Sequence, residues 1–152
     1  MADIDESGIV YSFRKNASEL VCAGLTEYKG KPYFFLRIFT AVLGDGDAVM
    51  PTPKGMNLPL NFLPEIIAGV DELKNVMATE KLVKTIRKAS DKEIRIGVSP
   101  FKGNVYIYVR IYKRIDDEFR PTKKGISIAV NKYDELVQAL ETLHEALRGG
   151  SD

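Results

Sequence analysis

A chain of 152 residues, 45% hydrophobic and 28% charged, suits one ordinary domain or two small ones that share a core. No apolar run approaches the roughly 20 residues needed to cross a bilayer. The acidic start, Met1–Glu6, has no apolar segment behind it as a secretory leader would, and a single cysteine excludes an internal disulfide. The expectation is an intracellular, reducing location: cytoplasm or nucleoid, or the nucleus in a eukaryote. The net charge of +1 hides a segregation. Lys81–Lys124 holds 13 Lys and Arg against 5 Asp and Glu, while the rest holds 9 against 16. Such a basic stretch suits a polyanionic partner.

Met1–Gly8 reads as a mobile acidic tail. Ile9–Lys15 alternates weakly and reads as a strand. In Leu20–Leu25, Val21, Ala23 and Leu25 share one face, as in a strand. Thr26 and Glu27 make the expected turn, followed by Tyr28, Lys29 and Gly30. Pro32 then opens the most regular strand, where a missing N–H is tolerated. Phe34, Leu36 and Ile38 point one way; Tyr33, Phe35, Arg37 and Phe39 point the other. Gly44–Asp47 has turn chemistry. A short return strand near Ala48–Met50, the Pro51–Gly55 turn and a fourth strand at Met56, Leu58 and Leu60 follow. Asn61 reads as a helix cap. Ile66, Ile67, Val70 and Leu73 form a helical stripe, which Gly69 weakens by up to about 1 kcal/mol.

The pattern then restarts. Phe101, Lys102, Gly103 repeats Tyr28, Lys29, Gly30 at an offset of 73, and Pro121–Gly125 repeats Pro51–Gly55 at an offset of 70. Glu80–Lys88 reads as a short or continuing helix, with Leu82, Val83 and Ile86 at helical spacing. Yet Ile86–Lys88 also matches Phe13–Lys15, which lets the repeat begin earlier. Ile94, Ile96 and Val98 mark a strand, and Ser99 and Pro100 its expected turn. Val105, Ile107, Val109 and Ile111 point one way; Tyr106, Tyr108, Arg110 and Tyr112 point the other. Asp116–Asp117 turns into a short return strand at Glu118–Arg120, and Ile126, Ile128 and Val130 mark the fourth strand. Asn131 reads as the cap of a helix through Leu136, Val137, Leu140, Leu143, His144 and Leu147, stopped by Gly149 and Gly150. The domain reading is therefore a tail at 1–8, a first repeat at 9–78, a connecting segment at 79–91, a second repeat at 92–148 and a tail at 149–152. One four-stranded sheet with one helix is small for an independent core, so two such units should share one.

Catalysis has little support. The lone His144 sits on an apolar helical stripe, and one His with one Cys supplies no zinc set. Neither a phosphate-cradling loop nor a nucleophile elbow is present. Cys22 reads as a quiet thiol, and Asp116 and Asp117 as solvated turn residues. No cofactor is expected. The aromatic face with its interleaved Arg is different. On a curved antiparallel sheet such a face can stack unpaired bases and contact phosphate. Lys29, Lys31, Lys54, Lys102, Lys113, Lys123 and Lys124 lie at strand ends and turns beside it. The competing reading is that these aromatics are cross-strand pairs or bury the interface between the copies.

Phe101, Lys102, Gly103, the strand bearing Arg110 and Tyr112, then Lys123–Ser127 and the closing helix resemble the single-stranded-DNA-binding domain of the transcriptional coactivator positive cofactor four and its bacterial and phage relatives. Lys92 to Leu147 carries nearly the full motif order. The first copy keeps Tyr28, Lys29, Gly30, Arg37, Lys54 and Gly55 but has Met56 and Asn57 in place of the Ile–Ser pair. Whirly and Pur-alpha proteins are more distant likenesses. The resemblance implies an α+β fold: two repeats of a four-stranded curved antiparallel sheet plus one helix, packed as an intramolecular pseudo-dimer. It implies sequence-tolerant single-stranded DNA binding, with RNA left open, in transcription, replication or repair, and no enzymatic activity. Its machinery would be a prospective partner; no membrane partner is implied, and further oligomerisation stays open. The contacts it implies fall on Phe101, Lys102, Arg110, Lys123 and Lys124, and in the first copy on Tyr28, Lys29, Lys31, Arg37 and Lys54. The aromatic and Arg face read from the residues adds Tyr106, Tyr108, Tyr112 and Lys113 to the candidate site, and Tyr33 and Phe39 in the first copy. Departures include Lys113 and Thr40 where the coactivator carries an aromatic, and Ser99, Thr26 and Asn104 where it carries basic residues. The alternative is a protein-interaction module that keeps the fold and binds nucleic acid weakly or not at all.

Overall fold

Alternating segments closed by tight turns build two antiparallel sheets in the computed structural model, which describes residues 8–42, 44, 46, 48–76 and 81–149. The first sheet holds β1 (Ile9–Arg14), β2 (Glu19–Tyr28), β3 (Lys31–Ala41) and β4 (Val49–Pro59), in that spatial order, followed by helix α1 (Leu63–Glu72). The second holds β5 (Lys81–Ala89), β6 (Lys92–Phe101), β7 (Asn104–Ile115) and β8 (Glu118–Ala129), followed by α2 (Tyr133–Gly149). This is the two-repeat α+β architecture expected from the sequence. Met1–Glu6, most of the Gly44–Asp47 turn chemistry and Gly150 lie outside the described residues.

Several local expectations are corrected. Glu80–Lys88 is not a helix: Lys81–Ala89 is the first strand of the second sheet, so that sheet starts before Lys92. The short return strands are not separate elements, because each runs on through the Pro-Thr segment into one long strand, β4 or β8. The turns fall later than Thr26–Glu27 and Ser99–Pro100. Lys29 and Gly30 (φ 52° and 77°), like Lys102 and Gly103 (φ 51° and 83°), have positive φ at both central positions, the pattern of a two-residue hairpin turn matched to strand twist. Neither Asn caps a helix. Asn61 and Asn131 sit inside 3-10 turns, and the helices begin at Leu63 and Tyr133. His144 is exposed rather than packed on the apolar stripe.

One core serves both repeats. Val21, Phe34, Leu36 and Ile38 of the first sheet join Ile94, Ile96, Ile107 and Val109 of the second, with Ile66 and Val70 from α1 and Leu136 and Leu140 from α2. Each such buried side chain contributes about 1.5–3 kcal/mol. The helices are exchanged: α2 packs on β1 and β2, and α1 on β5 and β6. Gly69 thereby finds its use. A Cβ there would stand 2.6 Å from the Ile96 side chain, so the missing methyl lets α1 approach the second sheet. Tyr133 Oη donates to the Val70 carbonyl at 2.9 Å, tying the two helices together. The sheets also meet along β4 and β8. The outer faces of both sheets point away from this core.

Candidate nucleic-acid interface

Strand alternation sends Tyr106, Tyr108, Arg110 and Tyr112 of β7 to the outer face, and ladder pairing sets Ser99, Gly97, Arg95 and Glu93 of β6 opposite them in turn. Arg110 lies where the pairing of β7 with β8 slips register. Its Nη1 donates to the Thr122 carbonyl at 2.8 Å and its Nη2 to Ser127 Oγ at 3.0 Å. Thr122 Oγ1 donates to the Ile111 carbonyl at 2.7 Å and accepts from the Lys124 N–H at 3.1 Å. Gly125 lets β8 close on this point, since a Cβ there would stand 2.5 Å from Arg110 Cα. The guanidinium thus fastens the irregular strand that presents Lys123 and Lys124, both exposed. Burial lowers the Arg110 pKa, but the group stays cationic.

Beside it lies a residue that the sequence reading passed over. Arg95 stacks on Tyr112, with its guanidinium carbon 4.4 Å from the ring centroid, and lies 5.8 Å from the Phe119 ring. Glu93 Oε1 accepts from Arg95 Nε at 2.6 Å, fixing its direction. Arg95 alternates with Gly97 and Ser99 on β6, directly across from Arg110. The outward pattern of β6 was the signal that could have found it.

Three adjoining hollows run over this face. One of about 330 Å³ lies between Tyr108, Arg110, Tyr112 and Leu82. A second, of about 430 Å³, is lined by Phe101, Tyr106, Tyr108 and Lys15. The third, of about 480 Å³, is lined by Arg110, Lys123, Lys15 and Lys54. Ser127 lines all three, so the hollows adjoin at that residue and together make up the groove of this face. Lys15 and Lys54 come from the first repeat, and Lys15 was also missed from the sequence. Phe101 stands 61% exposed at the end of the groove, edge-on to Tyr106 with ring centroids 6.4 Å apart. Lys102 lies 5.3 Å from the Phe101 ring centroid, and Lys113 is exposed beyond Tyr112. Lys88 is pushed below the ordinary lysine range first by burial and then by the neighbouring Lys92 and Lys124, with Asp91 acting against them.

The first repeat keeps the frame of this face and loses its surface. Arg37 makes the same clamp, donating to the Thr52 carbonyl at 2.8 Å and to Asn57 Oδ1 at 2.9 Å. But Phe35 and Phe39 are 0% exposed, packed with Cys22, and Arg37 is only 8% exposed. Gly8 lies against Phe35: a Cβ there would sit 3.7 Å from Phe35 Cε2. Of the candidate contacts expected from the sequence, Phe39 and Arg37 are thus buried in this structure, the ring with no open face and the guanidinium engaged in its clamp. Tyr28 and Tyr33 are half-buried, and Lys29, Lys31 and Lys54 exposed. Only Lys54 of this set lines the groove.

Two open antiparallel sheets, each followed by a helix and sharing one core within one chain, define an intramolecular pseudo-dimer of a sheet-and-helix module. Residues 88–139, in the second module, match the family described as Transcriptional Coactivator p15 (PC4), and the match stays within that half of the chain. Among solved structures, a PC4 homolog from Burkholderia pseudomallei is 28% identical over 43% of this chain and 98% of its own, with a TM-score of 0.40. MoSub1, solved in complex with single-stranded DNA, is 28% identical over 45% of this chain and 80% of its own, with a TM-score of 0.37. The bacteriophage T5 homolog of PC4, implicated in recombination-dependent DNA replication, is 24% identical over 47% of this chain and 92% of its own, with a TM-score of 0.32. No curated protein matches. Among the described residues no helix is long and apolar enough to cross a membrane, and no cluster of three His, Cys, Asp or Glu could hold a metal.

Proposed function

We propose that the protein binds single-stranded nucleic acid, with little sequence preference, on the outer face of its second sheet. The observation that carries this reading is the groove joining Phe101, Tyr106, Tyr108 and Tyr112 to Arg110, Lys123 and Lys124. Rings with open faces stack any base for roughly 1–3 kcal/mol each, while cations beside them neutralise phosphates. Arg110 lies within β7, and Lys123 and Lys124 lie side by side within β8, where their exposed ammonium groups can reach a strand backbone. The PC4 match over residues 88–139 supports the same reading. Holding exposed single strands in transcription, replication or repair would be the cellular use.

Fluorescence anisotropy with labelled oligothymidylate and with duplex DNA tests this. The single strand should bind more tightly, and five phosphate contacts would weaken it about 100-fold between 50 and 200 mM salt. Equal affinity for duplex, or no binding at low salt, would overturn the assignment and leave a protein-interaction module. An RNA oligonucleotide in the same assay tests whether the sugar matters, since stacking does not read the 2′-hydroxyl.

A further inference from the structure

The two repeats differ most on the face where binding is proposed. Superposed by their offset, Leu20, Cys22, Phe35 and Phe39 of the first sheet occupy the places of Glu93, Arg95, Tyr108 and Tyr112 in the second. Cys22 is 1% exposed and both phenylalanines are fully covered, whereas Arg95, Tyr108 and Tyr112 remain partly open. A base cannot reach Phe35 or Phe39 without dismantling an apolar cluster. Yet the first repeat is not idle toward the groove. Lys15, at the end of β1, lines two of its hollows, and Lys54 of β4 lines one of them together with Arg110 and Lys123. Lys15 is held there by Glu19, 3.7 Å away.

Resting on the single-strand reading above, we infer that one chain holds one strand, in a composite groove floored by the second sheet and walled by Lys15 and Lys54 of the first repeat. The pseudo-symmetry of the fold is thus not a symmetry of binding. Two equivalent ridges could bring two strands together; one ridge with a basic wall from its twin holds one strand against a single surface. The first sheet's outer face acts as packing, and its exposed Lys29 and Lys31 stand outside the path.

The test is a stoichiometric titration of the full chain with an oligothymidylate of about eight nucleotides, a length in the range that single-strand-binding OB folds cover. Isothermal calorimetry should give one oligonucleotide per chain, and two per chain overturns the inference while leaving single-strand binding intact. Binding of no oligonucleotide at any salt overturns the functional reading itself, and this inference with it. The double variant Lys15→Glu, Lys54→Glu should weaken binding roughly tenfold or more and flatten its salt dependence, with the urea midpoint little changed. Lys29→Glu with Lys31→Glu should stay within about twofold of wild type. The opposite ranking of these two variants overturns the composite groove.

Discussion

Cys22 faces Arg37 across β2 and β3, as Arg95 faces Arg110 across β6 and β7. The two sheets share that register, the Arg–Thr clamp and the close-approach glycine of their fourth strands, down to hydrogen bonds that agree within about 0.1 Å. What differs is the chemistry of four outward positions. Where they are Leu, Cys, Phe and Phe, the face packs into a small core of its own. Where they are Glu, Arg, Tyr and Tyr, the last three stay partly open to water, while Glu93 is buried and holds Arg95 in place. A duplicated frame therefore carries either a packing layer or a binding surface, according to side chains that leave the backbone alone.

Paired substitutions at Phe35 and Tyr108 break this comparison hardest. Phe35→Ala empties a fully covered site and should cost about 3–5 kcal/mol in urea unfolding. Tyr108→Ala should cost less than about 1.5 kcal/mol of stability but lower single-strand affinity about tenfold, the loss of one stacked base. If both variants lost stability alike and neither lost binding, the second face would be a packing layer too.

The shared clamp should answer alike on both sides. A Cβ on Gly55 or on Gly125 would stand 2.6 or 2.5 Å from the Cα of the paired arginine, where only backbone can move away. Gly55→Ala and Gly125→Ala should each cost about 2–3 kcal/mol. A clear difference between them in thermal or urea unfolding would show that the repeats use their fourth strands differently. A gentler cut follows at the arginines. Arg37→Lys and Arg110→Lys each remove one of two parallel donors, at about 1 kcal/mol of stability apiece. Only Arg110→Lys should also weaken DNA binding in the anisotropy assay, because only its side chain lines the groove.

Much of this frame was legible in the sequence. Alternation along Pro32–Phe39 and Val105–Tyr112 was regular enough to give the inner and outer faces, and the helical stripes gave the lid of the core. The misread segment, Lys81–Ala89, shows where that method stops. Register shifts between Leu82 and Lys84 and between Arg87 and Ala89 break the two-residue period, and the apolar residues left at 82, 83 and 86 imitate a helix. The candidate site was legible in its residue types and not in its exposure. Alternation says that Phe39 and Tyr112 point outward in the same way; only what lies over them decides whether they meet water. Lys15 escaped for a related reason, since it reaches the groove from the other repeat, a juxtaposition that no local pattern records.

The smallest contrast is electrostatic and sits at the β1–β2 and β5–β6 turns. In the first repeat Lys15 faces Glu19, whereas the corresponding residues of the second are Lys88 and Lys92, which repel. A hydrogen bond from Asn16 Nδ2 at 2.7 Å, more than the nearby Lys15 and Lys54 charges, holds the Glu19 carboxyl below the usual carboxylate range. A carboxylate depressed on folding stabilises the fold above its unfolded pKa, about 4.3. That contribution fades as pH falls through the folded value. Because the pair is partly open to solvent, Glu19→Gln should cost no more than about 0.5 kcal/mol near pH 7. The deficit should shrink in unfolding measurements as pH falls through the folded value. The matching change in the second repeat, Lys92→Gln, should act with the opposite sign: it relieves crowding around Lys88, raises stability by a few tenths of a kcal/mol at low salt, and weakens single-strand binding. A Lys92→Gln variant that binds as tightly as wild type while gaining stability would show that the crowded charge serves something other than a nucleic-acid strand.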